Sequence, residues 1–441
     1  MKRRRTRGAF FVGGNLSPVS FALQRNVPEN AIVVALILPD LSRSVAEEHL
    51  AELEKLIETA GGVVVDRVFA KRPRPDAATY VGSGKAEQIK ALAQSSGAKL
   101  IVFDDDLSPA QARNLEKITE VKVIDRSGLI LDIFAGRARS REARTQVELA
   151  QLEYMLPRLT RAWTHLERQA GGIGTRGVGE TQLELDRRII RNRIARLKEE
   201  LGKIERIRET QRKSRLAVFS VAIVGYTNAG KSTLFNRLTS GSAEAADKLF
   251  ATLDAKSARA AFDMPRETVV IDTVGFIRKL PHHLVASFRS TMEEAVAADL
   301  VLHVIDSSHP QFEDQRAVGE EVLRALGVVM DRVIEVYNKA DRTDMFELRR
   351  KNAASVSALT GRNIERLIDI IRERELENGE VIQLEIPHND ARMIARLHEV
   401  AEVYEQKVTD RAMLITAWIP RDMLHLFESY AAIGLKPAKV S

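Results

Sequence analysis

Ser220-Val221-Ala222-Ile223-Val224 runs without a break into Gly225-Tyr226-Thr227-Asn228-Ala229-Gly230-Lys231-Ser232, and Thr233 to Leu238 continues at helical spacing. A buried strand, a glycine-bounded loop ending in Lys-Ser and a helix form the setting in which a chain cradles phosphates. The two glycines let backbone N–H groups converge on phosphate oxygens, and the helix N-terminus adds a favourable field. Lys231 is suited to neutralise β and γ oxygens, and Ser232 to give its hydroxyl to a Mg²⁺ that bridges them. The candidate phosphate site is therefore Gly225, Tyr226, Thr227, Asn228, Ala229, Gly230, Lys231, Ser232 and Thr233.

Three later motifs sharpen this reading. After the strand Val269-Val270-Ile271 come Asp272, Thr273, Val274 and Gly275; an acid at the end of a strand beside the loop orients the magnesium shell, and the Gly275 N–H can sense a γ-phosphate. Between the two lies Phe250-Ala251-Thr252-Leu253-Asp254, with Thr252 as a hydroxyl that joins the metal only when a third phosphate is present. After the strand Val333 to Tyr337 come Asn338, Lys339, Ala340 and Asp341, and the Asp341 carboxylate matches the ring and exocyclic N–H donors of guanine, which adenine does not offer. Ser357, Ala358 and Leu359, after a last short strand, complete a base pocket. Taken singly, DTVG and SAL are common turn sequences. In this order, each at the carboxyl end of a predicted strand, they predict a GTP-binding domain of the Ras-like doubly wound type over 217–373. Its candidate catalytic groups are Lys231, Thr252 and Gly275, and its candidate metal ligands are Ser232 and Thr252.

The chain has 441 residues, enough for about three domains, and its fold class is α/β and multi-domain. With no cysteine, disulfides, thiolate metal sites, iron–sulfur clusters and cysteine nucleophiles are excluded. No apolar run is long enough to span a bilayer, and Ala9 to Gly13 is too short for a signal-peptide core, so a cytoplasmic protein is expected, with at most a peripheral membrane association. Charge is unevenly placed. Residues 1–25 carry six Lys or Arg and no acid, residues 136–216 carry 20 basic and 11 acidic residues, and against a net +6 the rest of the chain is acidic. The arm over 1–28 reads as a solvated tail, an RNA contact or a transit peptide.

From Ala31 to Arg126, short apolar runs alternate with helical stretches, which predicts a parallel, helix-covered domain over 29–135. Its Tyr80-Val81-Gly82-Ser83-Gly84-Lys85 is half of a phosphate loop: it lacks the first glycine and has Ala86 where a hydroxyl should follow. It reads as a glycine turn into a helix or as a second nucleotide or RNA contact. Residues 136–216 predict two long helices, about Arg139 to Gln169 and Thr181 to Arg215, joined by Gly171 to Gly179. Leu149, Leu152, Met155 and Leu156 would face Ile189, Ile190, Ile194 and Leu197 in an antiparallel hairpin. Arg187, Arg188, Arg191, Arg193, Arg196 and Lys198 would form a basic run, either a solvated face or an RNA-backbone contact. A C-terminal module over 380–441 reads as βαβα, with helices from Asp390 to Tyr404 and from Arg421 to Ala431.

The set GYTNAGKS, FATLD, DTVGF, NKAD and SAL, preceded by ERQAGGIGTRGVGETQLELDRR and VKVIDRSGLILDIFAGRARSREARTQVELAQLEY, resembles the HflX family of ribosome-associated GTPases over about residues 30 to 375. The chain carries Ala170, Val178 and Ala255 where that family usually has glycine, proline and proline. The resemblance implies GTP as substrate, Mg²⁺ as cofactor, the large (50S) ribosomal subunit and its rRNA as partners, and a part in splitting stalled ribosomes, in protein synthesis or in subunit biogenesis. It leaves open an RNA-remodelling NTPase using ATP through the first domain, and a GTP-switched protein regulator that ignores RNA. A monomer is expected when free.

Where many GTPases place a water-orienting glutamine, this chain has Phe276, which predicts slow intrinsic hydrolysis and an external source of water positioning. His282 and His283 are plain loop histidines or water contacts. Asn228 matches GTPases that coordinate K⁺ as an added positive charge.

Overall fold

The computed structural model describes residues 29–159, 182–213, 218–239, 250, 254–279, 294–343 and 352–431. These divide into two compact units, one reaching to Glu205 and including Phe250 and Lys279, the other made of the remaining residues from Arg206 onward.

In the first unit, β1 (Asn30–Ile37), β2 (Val63–Lys71), β3 (Leu100–Phe103) and β4 (Lys122–Asp125) form a parallel sheet in the order β2-β1-β3-β4. The central strand β1 is apolar and buried from Ala31 to Leu36, as expected of a strand covered on both faces. Helix α1 (Arg43–Ala60) starts at Ser42, whose hydroxyl accepts from Val45 N–H, and α3 (Pro109–Thr119) starts with a reciprocal Ser108–Gln111 capping box and a proline in its first turn. Between them α2 (Ser83–Ser96) begins at Gly82, where φ is +90°. Helix α4 (Arg126–Arg137), which the sequence reading did not anticipate, is capped by Asp125. Its residues are buried without interruption from Arg126 to Leu131, so no polar face marks it as amphipathic.

Of the helix expected to reach Gln169, residues 160–169 lie outside the described residues; α5 (Arg141–Met155) passes into a single 3₁₀ turn at Leu156–Arg158. Pro157 accounts for this: it has no N–H, and its ring clashes with the preceding turn. The partner helix α6 spans Gln182–Lys213. Arg193 pairs with Glu148 and Arg141 with Glu200, so residue numbers rise on one helix as they fall on the other, and the two are antiparallel as predicted. Leu149, Leu152, Ile190 and Leu197 form their buried seam. Ile189, expected in it, is 42% exposed. Ile190, Ile194 and Leu197 follow the three- and four-residue spacing of one helix face, and Ile189 lies beside it.

The second unit contains a six-stranded sheet in the order β10-β9-β8-β5-β7-β6: β5 (Phe219–Gly225), β6 (Lys256–Arg259), β7 (Thr268–Asp272), β8 (Leu300–Asp306), β9 (Val333–Asn338) and β10 (Ala353–Ser355). Only β6 runs antiparallel, against β7. Helices α7 (Lys231–Leu238), α8 (Phe312–Ala325) and α9 (Ile364–Glu377) complete the doubly wound α/β arrangement predicted for this stretch. The C-terminal module is a three-stranded antiparallel sheet, order β11-β13-β12, of β11 (Gly379–Pro387), β12 (Glu402–Val408) and β13 (Ala412–Pro420), with α10 (Ala391–Val400) packed on it. The expected helix to Tyr404 ends at Val400, and Glu402–Val408 is a strand, consistent with its Val-Tyr content. The expected final helix is a pair of short 3₁₀ turns over Arg421–Leu426 and Glu428–Tyr430.

The module is joined tightly to α9. Trp418 donates its indole N–H to Leu376 O at 3.0 Å, and the Arg266 guanidinium lies 5.3 Å from the Phe219 ring and 5.9 Å from that of Trp418 while bonding Glu375 at 3.0 Å. Burial pushes the Glu375 carboxyl up to about 7 against the pull of Arg266.

Candidate functional site

The candidate site lies at the carboxyl ends of β5, β7, β8 and β9, where a parallel sheet presents its loops. At the end of β5, Gly225 has φ +145°, and a Cβ there would sit 2.1 Å from Val304 O, so no side chain fits. Asn228 and Gly230 have φ +63° and +93°. A Cβ on Gly230 would fall 2.2 Å from Asn338 Nδ2. The loop thus turns tightly into α7, whose first turn has no side-chain cap and keeps its N–H groups available to an anion.

Lys231 is buried and donates from Nζ to Tyr226 O at 2.8 Å. Burial pulls its ammonium down to about 8, partly opposed by the negative charge of Asp272. Ser232 Oγ donates to Asp272 Oδ2 at 2.8 Å, at the fully buried end of β7. Thr273 Oγ1 donates to Ile223 O at 2.7 Å and ties the start of the DTVG segment to β5. Beyond Val274, Gly275 comes so close that an added Cβ would be 2.7 Å from Lys231 Nζ. Thr227 Oγ1 is buried with no hydrogen-bond partner among the described residues.

Phe276 is stitched to the phosphate loop through its backbone. Its N–H donates to Gly225 O at 2.9 Å, its carbonyl accepts from Thr227 N–H at 2.7 Å, and Arg278 N–H donates to the Tyr226 hydroxyl at 2.7 Å. The Phe276 ring is 2% exposed and meets the buried His303 ring edge-on at 6.5 Å. Burial holds His303 neutral, its imidazolium pushed down to about 4.

The third and fourth motifs converge on the same loop. Asn338 Nδ2 donates to Ala229 O at 2.8 Å, and its Oδ1 accepts from Ala358 N–H at 2.9 Å. Lys339, in the left-handed region, pairs with Asp306 at 2.6 Å. Ala340 N–H donates to Val356 O at 3.0 Å. Ser357 Oγ donates to Asp341 Oδ1 at 2.5 Å, and this bond foremost holds the Asp341 carboxyl below its usual range. Leu359 is 67% exposed. Asp306 and Ser307 were missed in the sequence: Ser307 Oγ donates to Asn338 O at 2.7 Å, and both residues sit at the carboxyl end of β8, a position that alone could have flagged them.

Elsewhere the predicted residues divide. Phe250 falls in the first unit, its ring buried edge-on against Phe134 at 4.6 Å. Asp254 is half-buried. Ala251, Thr252, Leu253, His282, His283 and the glycine-rich tip lie outside the described residues. The basic run on α6 is only partly outward: Arg193 and Lys198 bond Glu148 and Glu153 on α5, and Arg187 donates to Leu159 O. Arg188, Arg191 and Arg196 are exposed. In the Tyr80–Lys85 loop the Arg72 guanidinium lies against Gly82, where a Cβ would be 2.1 Å from Arg72 Nη1, which is the geometry of a packed turn into α2.

Family models match in chain order: GTP-binding GTPase N-terminal over residues 47–135, GTP-binding GTPase middle region over 137–215, and 50S ribosome-binding GTPase over 220–339. GTPase HflX of Lacrimispora saccharolytica is 43% identical over 90% of this chain and 95% of its own length. The chain belongs to the HflX family of GTPases. HflX of Caldanaerobacter subterraneus is 44% identical over 88% of this chain and 90% of its own, and that of Escherichia coli 45% identical over 81% and 86%. A GTP-binding protein of Sulfolobus solfataricus solved with GDP is 26% identical over 78% of this chain and 98% of its own, with a TM-score of 0.42. As an HflX GTPase the chain hydrolyses GTP. Among the described residues no helix is long and apolar enough to cross a membrane.

Proposed function

We propose that this HflX GTPase binds Mg²⁺-GTP between the phosphate loop and the NKAD and SAL loops, hydrolyses it slowly alone, and is driven to turn over on the 50S subunit. The residues at the phosphate loop suit magnesium: the Ser232 hydroxyl is a hard oxygen ligand held 2.8 Å from the Asp272 carboxylate, which would orient the metal's shell, and Thr252 is the second candidate ligand. Bound there, the metal supplies positive charge to the β and γ phosphates. Lys231 binds the same oxygens, the α7 N-terminus orients them, and the Gly275 N–H donates to the terminal phosphate. Asp341 and Asn338 select guanine, with the SAL loop closing over the base. Asn228, exposed in the loop with φ +63°, matches GTPases that coordinate K⁺ as an added positive charge, so turnover should be faster in K⁺ than in Na⁺.

One observation carries the slow-until-docked reading. The Phe276 ring turns inward against His303 and its backbone is bonded to Gly225 and Thr227, so the position after DTVG offers no polar side chain to an attacking water. Water positioning and transition-state charge then come with the ribosome, which acts through the segment from Asp272 to Met292. The exposed Arg188, Arg191 and Arg196 on α6 supply a salt-sensitive rRNA contact, and hydrolysis releases the enzyme from a stalled or maturing subunit. The test is co-sedimentation with 50S subunits. More protein should pellet with a non-hydrolysable GTP analogue than with GDP, and Arg191→Glu/Arg196→Glu should lower binding and flatten its salt dependence. Equal pelleting by the double variant across salt would remove the hairpin from the account.

A further inference from the structure

Helix α7 carries the phosphate-binding residues at its N-terminus and, six residues past Lys231, an arginine that points elsewhere. Arg237 Nη2 donates to Leu359 O at 2.7 Å and Nε to Ala358 O at 3.3 Å, so one guanidinium holds two successive carbonyls of the SAL loop. Leu359 is 67% exposed, and the turn closes on itself through Gly361 N–H to Ser357 O at 2.8 Å, with Gly361 at φ +89°. On its inner side Ala358 N–H donates to Asn338, and Ser357 bonds Asp341. A second arginine, Arg362, reaches Ala340 O at 3.3 Å and serves the NKAD side, so the two arginines do not duplicate each other.

We propose that Arg237 is a positioning residue for guanine recognition: it fixes the outer carbonyls of Ala358 and Leu359 so that the inner face of the loop is already formed when the base arrives. This rests on reading residues 338–341 and 357–359 as the base pocket. A single side chain thereby ties the helix that receives the phosphates to the loop that receives the base, two ends that one nucleotide must engage together. Preorganisation of this kind reduces the ordering that binding otherwise has to impose, so its loss shows as faster ligand escape. The fork geometry calls for arginine. A lysine offers a compact ammonium on a flexible stem without the fixed fork, so it holds the two carbonyls less firmly. Because Arg237 is exposed, solvent screens both bonds and the effect is moderate.

The test uses the full chain with Arg237→Ala and Arg237→Lys, following release of fluorescent GDP by stopped flow and GTP turnover at steady state. Release should speed about tenfold in the alanine variant and about threefold in the lysine variant, with KM for GTP rising in parallel and carrying the loss in kcat/KM. A purely architectural role would lower the melting temperature while leaving release and KM at their native values, and that outcome overturns the proposal. Asp341→Asn, run beside them, should move preference from guanine to xanthine nucleotides, because an amide offers the N–H donor that the extra xanthine carbonyl accepts. If that variant keeps its guanine preference, the base-pocket reading fails. If it switches while Arg237→Ala releases GDP at the native rate, the failure belongs to Arg237 alone.

Discussion

Raising the pH above neutrality should weaken nucleotide binding through Lys231. In the free protein this side chain is buried, its Nζ bonded to the neutral carbonyl of Tyr226, and burial, partly opposed by the charge of Asp272, brings its ammonium down to about 8. Phosphate oxygens arriving at Nζ favour the charged form and push it back up, so binding above pH 8 requires uptake of a proton. The sign follows: the free protein has already lost the proton that the complex needs, and affinity falls as pH rises. With an ammonium at about 8, roughly nine-tenths of free molecules are protonated at pH 7 and about one-tenth at pH 9, which makes GDP affinity fall about tenfold across that interval. Calorimetry in two buffers of different ionisation enthalpy should register uptake of about 0.1 proton at pH 7 and about 0.9 at pH 9. A dissociation constant flat from pH 7 to pH 9, with buffer-independent heats, would refute the argument that burial primes Lys231 for phosphate.

Two further perturbations probe the packing. Gly379→Ala drives a methyl group to 2.2 Å from the Trp418 ring, which is 2% exposed, and overpacking of this kind should cost about 1–3 kcal/mol, read as a lower denaturation midpoint of Trp418 fluorescence in a Trp163→Phe background. Tyr154→Phe removes a hydroxyl that donates to Asp125 at 2.8 Å, while Gly128 N–H, Leu107 N–H and Arg158 remain on the same buried carboxylate. One lost bond to a charged acceptor should cost about 1.5–3 kcal/mol, seen as faster hydrogen exchange in α4 and α5.

What could be read from the sequence was what is local. The phosphate loop is encoded within eight residues whose glycines, lysine and serine each have a required place, and the strands flanking it are short, apolar and buried on both faces. NKAD and SAL follow the same logic. The sequence failed where the deciding interaction is remote or the pattern is featureless. Helix α4 is buried nearly all round and so has no period. In the C-terminal module, Glu402–Val408 alternates too weakly to be separated from the helix before it, and only pairing with β13 makes it a strand. Arg237 looked like an ordinary polar helix position because its partner carbonyls lie 121 and 122 residues away. The basic run on α6 was overcounted for a related reason: charge is visible in sequence, but the acids of α5 that neutralise Arg193 and Lys198 are brought beside them only by the hairpin.

Steady-state GTP hydrolysis measured with and without purified 50S subunits, at saturating GTP and Mg²⁺ in K⁺ buffer, tests the central claim most directly. With Phe276 turned away from the site, the free enzyme should be slow and the subunit should accelerate it by about a hundredfold or more, the scale expected when a missing transition-state donor is supplied. Equal rates in the two reactions would contradict the account.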